Sequence, residues 1–134
     1  MIKHLAKQDF QVTLLTRDPE KAAQRYPSPI KTAKADYDSV EQLTQTLRDG
    51  NFDSLVILIN RNELDPQIRL IDAAIAAGVP HIVPSSFGIG NTAPELRLVP
   101  SLMAKVKMEE YVMEKAGEGK LTYTGVNTGL FFDW

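Results

Sequence analysis

The stretch from Phe52 to Gly90 constrains the fold more than any other part of the chain. Asp53-Ser-Leu-Val-Ile-Leu-Ile59 is a continuous apolar run rich in branched residues. Such a run suits a strand buried on both faces of a parallel sheet, since a half-exposed strand would alternate. Asp65-Pro66 follows, then apolar positions at Ile68, Ile71, Ala74 and Ile75, closed by Gly78. An acidic cap, a proline in the first turn and a glycine just past the end punctuate a helix. A second short run, Val79-Pro-His-Ile-Val83, ends in Pro84-Ser-Ser-Phe-Gly88. Strand, helix and strand with tight joints make a right-handed crossover unit of an α/β sheet. Ligands of such sheets sit beyond the carboxyl ends of the strands. Asn60-Arg61-Asn62 and Ser85-Ser86-Phe87-Gly88 are therefore placed where chemistry is expected.

The flanking sequence continues the alternation. Ile2, Leu5 and Ala6 have the spacing of a helix end, and Phe10-Gln-Val-Thr-Leu-Leu15 opens a strand over 10–16. Pro19 can start a short helix through Arg25, broken by Pro27-Ser-Pro29, and 30–35 reads as a weak strand. Asp38 or Ser39 can cap a helix that carries Val40, Leu43 and Leu47 inward and stops at Gly50. Beyond a loop over 89–100, Ser101 starts an amphipathic helix to Ala116 with Leu102, Val106 and Met113 inward. Leu121-Thr-Tyr-Thr-Gly-Val126 is the last strand. Strands alternating with helices, without repeats or linkers, define one α/β domain.

With 134 residues the chain can bury one ordinary core. Its formal net charge of -2, with signs mixed, argues against nucleic acid or an anionic membrane as partner. There is no cysteine, hence no disulfide framework or thiolate metal site. His4 and His81 stand far apart without clustered carboxylates, so no metal is expected, and His81 reads as structural. No apolar run nears the ~18 residues of a membrane span, and a soluble, cytoplasmic protein is the default expectation.

The placement of the glycines is informative. All eight lie at Gly50 or later. A dinucleotide-binding unit needs a glycine-rich turn between its first strand and first helix, because only glycine lets backbone amides approach the pyrophosphate. No such turn occurs here, and no strand precedes the first helix.

Ala73-Ala-Ile-Ala-Ala-Gly-Val-Pro-His-Ile-Val-Pro-Ser-Ser-Phe-Gly88 resembles the NmrA-like and isoflavone-reductase-like proteins, atypical short-chain dehydrogenases, and among them the fungal members. The likeness continues at Lys105-Val-Lys-Met-Glu-Glu-Tyr111, at 121–131 and at Thr13-Leu-Leu-Thr-Arg17. The resemblance implies a Rossmann-like parallel sheet that lacks the family's first strand and glycine-rich loop. It also implies a single incomplete NAD(P)-binding domain over 1–134, without the C-terminal substrate-binding portion. In the family that first strand lies between the strands read here at 10–16 and 53–59. Without it those strands either keep unpaired edges or pair directly.

For cofactor contacts, the resemblance points to NADP and to five residues. Arg17, ending its strand, can pair with the 2′-phosphate, or it is a solvated arginine beside Asp18 and Glu20. Asp36 would lie near the adenine, or serve a turn or helix cap. Asn60, Ser85 and Phe87 follow the central strands and either line the cofactor or make ordinary turn contacts.

Lys105 matches the family lysine assigned as general acid/base. Glu109, one helical turn on, stands where plant members typically carry arginine, and a carboxylate there favours the charged ammonium. Ser86 replaces a glutamate common in the family's turn. Tyr111-Val-Met-Glu-Lys115 has the tyrosine–lysine spacing of ordinary short-chain dehydrogenases, but its position makes it a coincidence. Two functions follow. One is an NADP-dependent reductase of a small aromatic or conjugated substrate; the other is a non-catalytic regulator that senses NAD(P) and docks a protein partner.

Overall fold

The computed structural model describes residues 2–60, 63–88, 95 and 98–129. Arg61, Asn62 and most of the 89–100 loop lie outside the described residues. Helices and strands alternate: α1 (Ile2–Leu5), β1 (Thr13–Thr16), α2 (Pro19–Arg25), β2 (Lys31–Lys34), α3 (Val40–Gly50), β3 (Leu55–Val56), α4 (Leu64–Ala77), β4 (His81–Val83), α5 (Met103–Gly117) and β5 (Thr122–Tyr123). A 3-10 turn, Pro100–Leu102, leads into α5.

Every strand pair is parallel, but the sheet is in two pieces. β1 pairs with β2, and β3, β4 and β5 pair in that order. Of the two expected outcomes for β1 and β3, direct pairing is not what occurs: their facing edges stay apart. One core nevertheless runs beneath both pieces. Leu43 and Leu47 of α3, Ile71 and Ala74 of α4, Ile57 after β3, Ile82 of β4 and Met108 and Val112 of α5 are each at most 1% exposed. Leu15 of β1 packs on the same cluster.

The caps follow local chemistry. Ser39 Oγ accepts the Gln42 amide at the start of α3 (3.2 Å), and Asp18 accepts the Lys21 amide at the start of α2 (3.0 Å). Gly78 takes the left-handed conformation that closes α4 (φ 80°).

Four local expectations are corrected. Gly50 is the last residue of α3 but not its left-handed cap; Asn51 takes that conformation (φ 46°), and the outer edge of the Phe52 ring occupies the space a Cβ at Gly50 would take. Asp65 is not the cap of α4. Glu63 holds that position without a side-chain bond, and Asp65 lies in the first turn, where a negative charge suits the helix dipole. The 53–59 run is not buried on both faces: Leu55 and Ile57 face the core, while Leu58 on the opposite face is 50% exposed. The helices flanking β3 in sequence, α3 and α4, pack against each other, leaving that face open. Met113 of α5 is not inward but 54% exposed, because the buried row runs through Lys105, Val106, Met108 and Val112.

Candidate functional site

Two clefts open at the carboxyl ends of the strands. The first, about 310 Å³, lies where β1 and β3 face each other and is lined by Leu15, Thr16, Arg17, Tyr37, Ile59, Glu63 and Pro66. Tyr37 organises it. Its hydroxyl donates to the Leu15 carbonyl (3.0 Å), and the Arg17 guanidinium lies 5.4 Å from its ring centroid. Burial pushes the Tyr37 phenol up, and the Arg17 charge opposes that. Arg69 of α4 fixes the turn from behind, donating to the Tyr37 carbonyl (2.7 Å) and to Asp38 Oδ1 (3.3 Å).

The second cleft, about 340 Å³, is lined by Pro84, Ser86, Glu109, Val112, Met113, Tyr123, Gly125 and Asn127, beyond β4 and β5. Lys105 lies behind it, only 5% exposed. Its Nζ donates to the Ser86 carbonyl (2.8 Å) and stands 3.6 Å from Glu109 Oε1. Ser86 Oγ is buried and has no hydrogen-bond partner among the described residues. An orphaned buried hydroxyl costs about 1–3 kcal/mol unless a water or ligand atom satisfies it.

The residues singled out from sequence divide between these places. Arg17 is exposed and lines the first cleft. Asp36 is exposed beside it, and its Oδ1 accepts the Asp38 amide (3.0 Å), a turn contact. Asn60 follows Ile59, and its carbonyl accepts the Glu63 amide (2.9 Å) and Gln67 Nε2 (3.3 Å). Ser85 donates to the Ile59 carbonyl (3.0 Å) and so ties the ends of β4 and β3 together. Phe87 is partly buried in the turn after β4. Tyr37, Glu63 and Tyr123 were not foreseen. For Tyr37 a signal existed: an aromatic residue between two aspartates just past a strand.

Two other motifs are structural. Tyr111 donates to Asp72 of α4, and Lys115 lies 5.0 Å from the Tyr111 ring centroid. Burial, then the Asp72 hydrogen bond and charge, pushes the Tyr111 phenol up to about 12, with Lys115 opposing. That direction disfavours a phenolate, and neither side chain lines either cleft. His81 bridges β4 to β5. Thr122 donates its hydroxyl to the Pro80 carbonyl (3.0 Å), so His81 Nδ1 must donate to Thr122 Oγ1 (2.7 Å). Nε2 is then left to accept from Thr124 Oγ1 (3.2 Å). Among the described residues no three His, Asp or Glu side chains gather as a metal site would require. No described helix is long and apolar enough to cross a membrane.

Parallel strands joined through helices, with clefts at their carboxyl ends, define a Rossmann-like α/β protein. The NmrA-like family model matches residues 1–133, and the chain belongs to that family. It is 30% identical over 129 residues to Oxidoreductase aprR of Aspergillus flavus, covering 92% of this chain and 41% of that protein. The triphenylmethane reductase of Citrobacter sp., solved with NADP(H), superposes with a TM-score of 0.75 at 19% identity, covering 98% of this chain and 45% of that one. The NADPH-dependent quinone oxidoreductase of Escherichia coli, solved with NADPH, gives 0.75 at 20% identity over 97% and 44%. The chain spans about 40% of the curated relatives it matches.

Proposed function

We propose that these residues form part of an NADP-dependent reductase acting on a small aromatic or conjugated substrate. The carrying observation is Lys105, a buried lysine whose partners, the Ser86 carbonyl and Glu109, border a cleft beyond the strands. In this reading Lys105 delivers a proton through the second cleft. Ser86 Oγ supplies a hydrogen bond to the ligand, and Met113 and Tyr123 give the cleft apolar walls. Arg17, held over Tyr37, receives the 2′-phosphate in the first cleft, with Asp36 near the adenine and Asn60, Ser85 and Phe87 along the cofactor's path. NADPH, when bound, supplies the hydride.

The residues present fit the phosphate end of that cofactor and offer no glycine-rich amides for its pyrophosphate, since no glycine precedes Gly50. A second reading, a non-catalytic NAD(P)-sensing regulator with a protein partner, is favoured by one observation. The lysine head is engaged within the protein by Ser86 and Glu109.

The test is a chimaera in which these residues replace the matching segment of the Aspergillus flavus relative. NADPH oxidation would be followed with quinones and triphenylmethane dyes. A reductase loses roughly 10²–10⁴-fold in turnover on Lys105→Met while NADPH affinity holds. No turnover in either form, with NADPH still bound, sinks the catalytic reading and leaves the regulator.

A further inference from the structure

The Arg17 guanidinium is steadied by a ring and not by an ion pair. Its central carbon lies 5.4 Å from the centroid of Tyr37, and among the described residues no hydrogen bond or salt bridge engages its N–H groups. Those groups are available to an incoming anion, and a planar guanidinium can grip a phosphate with two of them at once. Tyr37 is itself tied at both ends. Its hydroxyl donates to the carbonyl of Leu15, two residues before Arg17 (3.0 Å). Its own carbonyl accepts from Arg69 Nε (2.7 Å), and a second Arg69 nitrogen donates to Asp38 Oδ1 (3.3 Å). Asp36 Oδ1 closes the same turn on the Asp38 amide (3.0 Å).

Arg69 stands behind this turn, on α4, and does not line the first cleft, where Arg17 is the one cation among the lining residues. The Arg69 charge is answered by Asp38. Arg69 therefore acts on the cleft through the position of Tyr37 and not through its own field. An unrestrained arginine gives up rotamer freedom when it grips a ligand. One that already rests on a fixed ring gives up less. At an exposed site a cation held over an aromatic face gains roughly two- to fivefold in an equilibrium constant. The hold on Arg17 thus runs from α4 through Arg69 and Tyr37 to the end of β1.

We infer that Tyr37 and Arg69 are positioning residues that set nucleotide selectivity by holding Arg17 where it meets a 2′-phosphate. The inference rests on the reading of Arg17 given above and extends it to a residue of α4 outside the cleft. Tyr37 supplies the face, Arg69 keeps that face in place, and neither needs to touch the phosphate. Loss of either leaves the Arg17 charge present but its side chain free to wander, so selectivity falls without vanishing. Loss of Arg17 removes it, whatever the other two do.

The probes are adenosine 2′,5′-bisphosphate and 5′-AMP, titrated into the intact chain and followed by amide chemical shifts. Both lack the pyrophosphate, so glycine amides do not enter, and the ratio of their dissociation constants is the selectivity. The bisphosphate should bind severalfold more tightly than AMP, and Arg17→Ala should abolish that preference. Tyr37→Leu and Arg69→Met should each lower it by about two- to fivefold with unchanged circular dichroism. In the Arg17→Ala background neither should alter the ratio, which a general loosening of the turn or a direct Arg69–phosphate contact would still do. If Tyr37→Leu does not fold, Tyr37→Phe, which loses only the bond to the Leu15 carbonyl, carries the same cycle with a smaller loss. A preference that depends on Arg17 but is indifferent to Tyr37 and Arg69 would overturn the inference and leave the Arg17 reading standing. So would an equal loss in the Arg17→Ala background. No preference in the parent chain, or one that survives Arg17→Ala, would overturn both.

Discussion

Removing the Lys105 side-chain charge tests whether the lysine is also a structural strut. The Lys105 and Glu109 side chains are 6% and 12% exposed, with 3.6 Å between Nζ and Oε1. Lys105→Met keeps the length of the side chain but takes the donor from the Ser86 carbonyl and the partner from Glu109. Breaking a buried pair by removing one member costs about 3–5 kcal/mol. Glu109 borders a cleft and regains some water, so the lower end, about 3 kcal/mol, is expected. Lys105→Met/Glu109→Leu removes the stranded Glu109 charge as well and should recover part of that loss, leaving about 1–2 kcal/mol for the Ser86 carbonyl that has lost its donor. Urea unfolding followed by circular dichroism measures both. A single substitution that costs under about 1 kcal/mol, or a double that costs more than the single, would refute the argument that the pair is buried and coupled.

Two further predictions concern the scaffold. Tyr111 is held neutral, its phenol raised from 10.0 to about 12. The folded state thus keeps a proton that the unfolded chain releases, so this stability is full below pH 10 and falls as pH rises toward 12. The shift is worth at most about 2.7 kcal/mol, and solvent screening at a partly exposed ring leaves roughly 1 kcal/mol; Tyr111→Phe should flatten the slope in thermal melts at those pH values. Gly50→Ala would put a methyl where the outer edge of the Phe52 ring lies; the ring must turn aside, and with alanine the better helix former the net loss should be about 1 kcal/mol or less. Adding Phe52→Ala should leave a total smaller than the sum of the two separate losses, which a double-mutant thermal-shift cycle would read.

The sequence carried the helix–strand alternation because its signals are local: Pro19, Ser39 and Gly78 mark turns whose geometry depends on near neighbours. Position along a helix face was less legible. Met113 looks like a core residue by composition, yet the buried row of α5 passes through Lys105, whose stem a pattern of apolar letters does not count as inward. Leu58 likewise reads as buried, and only the tertiary arrangement shows one face of β3 uncovered. Lys105, Glu109 and Ser86 drew attention through the family resemblance. Their meeting at one cleft depends on α5 crossing the turn after β4, which spacing does not encode. Tyr37 meets Leu15 from 22 residues away, and nothing local predicts that bond.

The central claim is that the first cleft reads the 2′-phosphate through Arg17. Calorimetric titration of NADPH and NADH into the chimaera, with and without Arg17→Ala, tests it most directly. The account predicts that NADPH binds more tightly than NADH and that the substitution removes this preference by weakening NADPH alone. The unmodified chain, with no glycine before Gly50 to offer amides to the pyrophosphate, should bind NADPH more weakly than about 1 μM. Equal weakening of both nucleotides by Arg17→Ala, or no preference to begin with, would contradict the assignment.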